Sequence, residues 1–388
     1  MPNLLPAVLI GGPAHAGKSV LFYSLTQALR ERGVRHHAIR ACPDGEGNWS
    51  QECDPEVVSE IRLRGPWSNE FVRRICQDLE HRCLPFLVDM GGQPKASQIS
   101  LFQRCTHAVL LLREDKPEAS VDWQGYVDAN GLIPLAKIFS RQWGESLVTT
   151  RTPTLEGVLT HLERGNQVRV KGPLFDFLVE RIATLFASYE VHDLERAAFE
   201  QAPGEVLNLY DALHAFDPKT SIWQPEMLMP FLAGMQPGPQ ALYGAGPNWL
   251  YASIAAHTNR QALYLYDPRH PFGWMQPAQV QFGTEPHPEL QIATQERDDA
   301  TVLSITIPST HLEYFQPGPI TFPPLPLHKG LIINGRLPYW LLTALVRLYK
   351  DAGMYWIAPY HVPLQSGVIA YSRDPDQHPG DRISYKTV

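Results

Sequence analysis

The chain has 388 residues and a formal charge of −7, a length that suggests two or three globular domains. Its 44% apolar content can fill sizeable cores and excludes disordered and fibrous classes, and no apolar run reaches the roughly 18 residues of a membrane helix. The N-terminal Met1-Pro2-Asn3-Leu4-Leu5 has no basic region before its apolar stretch, and Cys42, Cys53, Cys76, Cys83 and Cys105 show no CxxC spacing. A cytoplasmic protein with reduced thiols, no secretory signal and no membrane partner is expected.

The first motif follows at once. The apolar run Ala7-Val8-Leu9-Ile10 leads into Gly12-Pro13-Ala14-His15-Ala16-Gly17-Lys18-Ser19, a complete GxxxxGKS, and an amphipathic segment (Val20, Leu21, Leu25, Ala28, Leu29) continues from it. Strand, glycine loop and helix in that order are what a P-loop requires. Gly12, His15 and Gly17 belong to the loop whose amides would cradle phosphates, Lys18 would meet the terminal phosphates, and Ser19 would ligate magnesium. His37-Ala38-Ile39-Arg40-Ala41 reads as a second strand, with Asp44-Gly45-Glu46-Gly47 after it as a loop that could approach the same phosphates. Leu84 to Val88 reads as a further strand ending in Asp89, the position of an acid that holds the magnesium shell. No NKxD motif for guanine occurs, which favours ATP. A helix is predicted over 174–186 from Leu174, Phe177, Leu178, Ile182 and Leu185, and Ala202-Pro203-Gly204 breaks the chain beyond it.

Composition shifts near residue 200: 12 of the 35 prolines precede it and 23 follow, predicting strands and turns with few long helices. The second half also repeats itself. Leu242-Tyr243-Gly244-Ala245-Gly246-Pro247-Asn248-Trp249-Leu250 matches Ile333-Asn334-Gly335-Arg336-Leu337-Pro338-Tyr339-Trp340-Leu341, with Gly, Pro, Trp and Leu recurring at an offset of 91. Each block follows an apolar strand and opens a helix, with Pro at its first turn, and each helix leads to another strand, Leu263–Tyr266 and Tyr355–Ala358. Trp249 and Trp340 fall at core spacing. Two βαβ units are predicted, and in such units both strand ends and the helix start share one edge, where open sheets bind ligands. Copy one brings Gly244, Ala245, Gly246 and Tyr266-Asp267-Pro268-Arg269 to that edge, and copy two brings Gly335, Arg336 and Tyr360-His361-Val362-Pro363.

The stretches GAGPNWL…YLYDPR and KGLIINGRLPYWL…HPGDRI resemble two diverged copies of the CRISPR-associated type III ring nuclease domain. With the N-terminal GGPAHAGKS and LVDMGG, the chain is similar to the larger variety of that family, fused to an AAA-type ATPase. The resemblance implies binding and cleavage of cyclic tetra-adenylate, the messenger of type III antiviral defence, in a homo-oligomer, with manganese as a candidate metal. It also implies catalytic roles for Asp267 and Arg269, whose counterparts in copy two are His361 and Pro363, and for a histidine after the helix, for which copy one offers His257 and copy two offers Lys350-Asp351.

Cutting a phosphodiester by attack of the neighbouring 2′-hydroxyl needs a proton acceptor, a proton donor and a cation facing the phosphorane. Asp267, His257 or His361, and Arg269 or Arg336 supply those types. Residues 201–388 hold 11 Lys plus Arg against 15 Asp plus Glu, too acidic to track a long nucleic acid but compatible with a local pocket for a compact anion. The expected architecture is therefore α/β: a P-loop NTPase domain with a parallel sheet over 1–200, then ring-nuclease-like domains over 204–286 and 287–388 paired as a pseudo-dimer.

Overall fold

The computed structural model describes residues 5–43, 68–92, 94, 98–162, 170–189, 191–218, 220, 222–236, 238–258, 262–270, 273–285, 287–309, 312–314 and 318–384. The expected loop at 44–47 lies outside them. Contacts divide the chain into two compact units, Met1–Ala198 with Pro268–Pro271, and Phe199–Asp267 with Phe272–Val388.

The first unit is built on one sheet in the order β2-β3-β1-β4-β5-β7-β6. Its strands are β1 (Ala7–Gly11), β2 (His37–Arg40), β3 (Phe86–Asp89), β4 (His107–Arg113), β5 (Ile133–Arg141), β6 (Leu147–Thr150) and β7 (Leu155–Thr160). All neighbours run parallel except β6, which pairs antiparallel with β7 at the edge. Helices α1 (Lys18–Glu31), α2 (Asn69–Glu80), α3 (Pro117–Ala129) and α4 (Pro173–Ala187) follow strands along the chain. Because successive strand residues face opposite sides, β1 divides its side chains between two cores. Val8 and Ile10 pack with α1 and α4 residues such as Leu21 and Ile182, whereas Ala7 and Leu9 pack with Ile75, Phe102 and Trp123. Burial on both faces explains an uninterrupted apolar run. Strand β3 begins two residues later than the apolar pattern predicts, after Pro85, which has no amide to give to a ladder.

The second unit carries the repeat. Copy one contains β8 (Glu205–Asn208), α5 (Leu209–Phe216), α6 (Leu228–Ala233), β9 (Gln240–Tyr243), α7 (Asn248–His257), β10 (Leu263–Tyr266) and β11 (Trp274–Met275). Beyond it come β12 (Val280–Phe282), β13 (Gln291–Glu296), β14 (Ala300–Thr306), β15 (Ile320–Phe322), β16 (Gly330–Asn334), α8 (Tyr339–Asp351), β17 (Trp356–His361), β18 (Ser366–Val368), β19 (Tyr371–Ser372) and β20 (Arg382–Ser384). In copy one β8, β9 and β10 are parallel and β11 returns antiparallel; in copy two β14, β16 and β17 are parallel, and β18 and β19 return antiparallel.

The registers agree residue by residue. Leu265 lies opposite Leu242 and Leu207 opposite Leu242 in copy one, while Pro359 lies opposite Ile333 and Leu303 opposite Ile333 in copy two. Continuing that register by two residues sets Asp267 and His361 at the same place. Strand β17 runs three residues past the predicted Ala358. It tolerates Pro359 because β19 pairs with it at Trp356 and Ile357 and β18 at Tyr360 and His361, so neither return strand pairs at the proline.

One core joins the copies, with Leu242, Trp249 and Leu250 in the same cluster as Ile333, Trp340 and Leu341. Helices α7 and α8 lie side by side and run in the same direction. Near their starts Tyr251 stacks on Tyr339 at 3.9 Å and 18°. Near their ends Arg347 donates to the Ala255 carbonyl at 3.2 Å and the Thr258 hydroxyl at 2.8 Å, and Lys350 to the Ala256 carbonyl at 2.5 Å. These cations cover the last carbonyls of α7, which have no partner within the helix.

Candidate functional site

The loop between β1 and α1 is shaped by close approach. Gly12 has φ of 147°, and a Cβ there would fall 1.9 Å from the Leu111 carbonyl oxygen on β4. Gly17 takes the left-handed conformation (φ 88°) as the residue before α1, with no side chain capping the helix. A side chain at either glycine would shift the backbone that has to wrap a phosphate. His15 is exposed at the loop with φ of 63°. Lys18 is buried and its Nζ donates to the Pro13 carbonyl at 2.7 Å.

Because β3 is the immediate neighbour of β1, its last residue arrives beside the start of α1. The Ser19 hydroxyl donates to Oδ2 of Asp89 at 3.2 Å, and the Gly91 amide donates to Oδ1 at 3.1 Å. A third partner was not foreseen: Arg40, at the end of β2, places Nη1 3.1 Å from Oδ2 of the fully buried Asp89 carboxylate. Glycine turns, uncapped helix amides, a lysine, and a hydroxyl beside a carboxylate fit a nucleotide polyphosphate with magnesium on Ser19 and Asp89.

In the second unit, the strand ends and helix starts of both copies meet. Pro247 and Pro338 stand one residue before their helices as extended caps, not inside the first turn, with ψ of 159° and 145°. Each accepts from two following amides, Leu250 and Tyr251 in copy one and Leu341 and Leu342 in copy two. Gly335 has φ of 154°, and a Cβ there would lie 2.2 Å from the Ile305 carbonyl oxygen, the same approach to a neighbouring strand that Gly12 makes. Gly244 has φ of 114° and backs onto the Tyr210 ring. The carbonyls of Gly244 and Gly246 accept from Tyr251 at 2.5 Å and Tyr339 at 2.6 Å, so tyrosine hydroxyls from both helices tie down the copy-one turn. Arg336 is exposed beside this edge.

His361 and Asn248 add a further polar link between the copies. His361, ending β17, sets Nδ1 2.9 Å from Oδ1 of Asn248, the first residue of α7. Asn248 also accepts from the Trp249 amide at 2.9 Å and donates from Nδ2 to the Tyr360 carbonyl at 2.8 Å. Burial pushes the His361 imidazole down to about 4, so the neutral ring is the favoured form at physiological pH.

His257, Asp267 and Arg269 are not part of the His361–Asn248 link. His257 is the last residue of α7, about 14 Å along the helix from Asn248 at 1.5 Å per residue, and therefore at the opposite edge from His361. Asp267 closes the turn after β10, its amide donating to the Gly273 carbonyl at 2.8 Å. Arg269 groups with the first unit. Trp249 and Trp340 are core residues. Among the described residues no group of three or more His, Cys, Asp or Glu is placed to hold a metal ion, and no described helix is long and apolar enough to cross a membrane.

A family model described as CRISPR-associated protein (Cas_csx3) matches residues 305–384. This match supports a CRISPR-associated protein. It spans most of copy two, including Gly335, Arg336 and His361. No curated protein matches the chain. Among solved structures, chloroplast FtsY from Physcomitrella patens is similar at 13% identity over 35% of this chain and 50% of that one, with a TM-score of 0.25. The chain thus spans half the length of that protein, and a superposition this loose supports no statement about fold or function.

Proposed function

We propose that the protein is a CRISPR-associated ring nuclease that binds and cleaves a cyclic oligoadenylate, cyclic tetra-adenylate first among them, with an AAA-type P-loop domain that binds ATP and magnesium and controls assembly of a homo-oligomer. The observation that carries the reading is the in-register duplication, which sends both sets of strand ends and helix starts to one edge bridged by Tyr339 to Gly246 and by His361 to Asn248. A ring of repeated phosphates suits a site with two equivalent halves, and the two copies act as a pseudo-dimer within the chain.

In this mechanism Arg336 balances the phosphate charge. The ribose 2′-hydroxyl gives its proton to Nε2 of His361 as the 2′-O–P bond forms. The P–O5′ bond breaks, and the departing oxygen takes a proton from a water held by Asp267, which the imidazolium then restores. The products are a 2′,3′-cyclic phosphate and a 5′-hydroxyl. At the P-loop, magnesium on Ser19 and Asp89 would neutralise phosphate charge, and Lys18 leaves Pro13 for the terminal phosphates.

Chromatography of cyclic tetra-adenylate after incubation with the protein tests the reading. Asp267→Ala and His361→Ala should each slow cleavage by roughly two to four orders of magnitude with binding retained, the range for a lost acid–base group, and Arg336→Ala should mainly weaken binding. An intact ring after incubation with wild-type protein that binds it would leave a receptor and remove the nuclease.

A further inference from the structure

We infer that Asn248 is a positioning residue for His361, holding the imidazole as the Nδ1–H tautomer so that Nε2 presents its lone pair at the shared edge. The inference rests on the reading of that edge as the cleavage site, but its geometry stands without it. Asn248 has two amide atoms of opposite character, and its surroundings settle which is which. Nδ2 lies 2.8 Å from the Tyr360 carbonyl, a pure acceptor, and must donate. Oδ1 lies 2.9 Å from the Trp249 amide, a pure donor, and must accept. The atom facing Nδ1 of His361 at 2.9 Å is this same Oδ1, which has no proton to give. Nδ1 therefore carries the hydrogen, and in a neutral imidazole Nε2 is then the acceptor. Nε2 makes no hydrogen bond to the described residues.

The arrangement is anchored from both copies. Asn248 begins α7 of copy one, while Tyr360 and His361 end β17 of copy two, so the amide grips the backbone of one residue and the ring of the next. The Trp249 ring stands edge-on to the imidazole at 6.4 Å and 85°, limiting its rotation. The hydrogen-bond partner Asn248 and the ring neighbour Trp249 are both uncharged, and Ser366, which pairs with His361 in the sheet, is uncharged as well. A free imidazole prefers no such fixed state; a group that orients histidine by accepting from one nitrogen makes the other available for chemistry. Register places Asp267 at the matching position of copy one, where Tyr339 stands in the helix place of Asn248, so this device exists on one side of the pair only.

Nitrogen NMR of 15N-histidine-labelled full-length protein, without ligand, reads the tautomer directly. His361 should show the Nδ1–H form in the wild type, identified by its loss in His361→Gln, and Asn248→Ala should shift it toward the Nε2–H form. Asn248→Asp, nearly the same shape, replaces the amide with a carboxylate that favours the imidazolium, so the ring should titrate at higher pH. With cyclic tetra-adenylate as the probe, kcat should fall about a hundredfold in Asn248→Ala, the lower end of an acid–base contribution, with KM little changed, and the acid limb of the Asn248→Asp rate profile should move to higher pH. An Nε2–H form in the wild type, or an unchanged tautomer in Asn248→Ala together with an unmoved titration in Asn248→Asp, would overturn the inference. The expected NMR changes with no cleavage by any form would uphold the positioning and remove the nuclease reading.

Discussion

Arg40→Ala tests the P-loop centre without any ligand. In the wild type the Asp89 carboxylate is fully buried and shares Oδ2 between the Arg40 guanidinium at 3.1 Å and the Ser19 hydroxyl at 3.2 Å. Removing the cation leaves a buried carboxylate with only a hydroxyl and the Gly91 amide. Breaking one side of a buried pair costs about 3–5 kcal/mol, and at roughly 2–4 °C per kcal/mol for a unit of this size the first unit should melt about 6–20 °C lower. Calorimetry in EDTA reads this. Replacing both partners with apolar residues, Arg40→Met with Asp89→Leu, should recover most of the loss, because no charge is then stranded. Magnesium with ATP should also raise the melting temperature of Arg40→Ala more than that of wild type, since a cation at Asp89 fills the role the guanidinium has vacated. Melting of Arg40→Ala within 2 °C of wild type in EDTA, a threshold well below the expected shift, would refute the view that this pair stabilises the ligand-free centre.

Lys18→Ala should weaken ATP binding by at least about a hundredfold in titration calorimetry, as for loss of one or two charge-assisted hydrogen bonds, while the affinity for cyclic tetra-adenylate stays. Gly335→Ala forces a Cβ to 2.2 Å from the Ile305 oxygen at a φ of 154°, so the second unit should lose about 2–4 kcal/mol in urea unfolding; an unchanged midpoint would contradict the close approach. His36 is pushed down to about 3, first by burial and then by Arg30. The unfolded chain therefore binds this proton below pH 6.5 while the folded chain does not, and stability should fall as pH drops from 6.5 toward 3. Denaturation of His36→Gln across that range should show a flatter acid slope.

The parts of this molecule written in consecutive residues are legible in the sequence. GxxxxGKS needs only local order, and the βα turns declare themselves because Gly and Pro recur at one offset. Contacts made across the fold leave no such mark. Asn248 and His361 are 113 residues apart, and nothing in the sequence around Asn248 announces a partner until a neighbouring strand end is brought to it. Arg40 looked like the end of a strand. Its tie to Asp89 depends on β2 and β3 being neighbours in the sheet, and a sequence pattern does not give strand order. His257 shows the converse: the family resemblance offers it as the histidine after the helix, whereas that helix carries it to the end away from Asn248.

Joining the two copies in one chain changes what mutation can do to them. In a homodimer, every substitution at the shared edge appears twice, so a residue that must accept a proton on one side is imposed on the other. Here the matching position at the end of the second strand is aspartate in one copy and histidine in the other, and the first helical residue is asparagine in one and tyrosine in the other. Arg347 and Lys350 likewise close the end of α7 with no reciprocal pair required. Covalent fusion frees the interface from self-complementarity, so each half can be selected for a different task while both still share one edge.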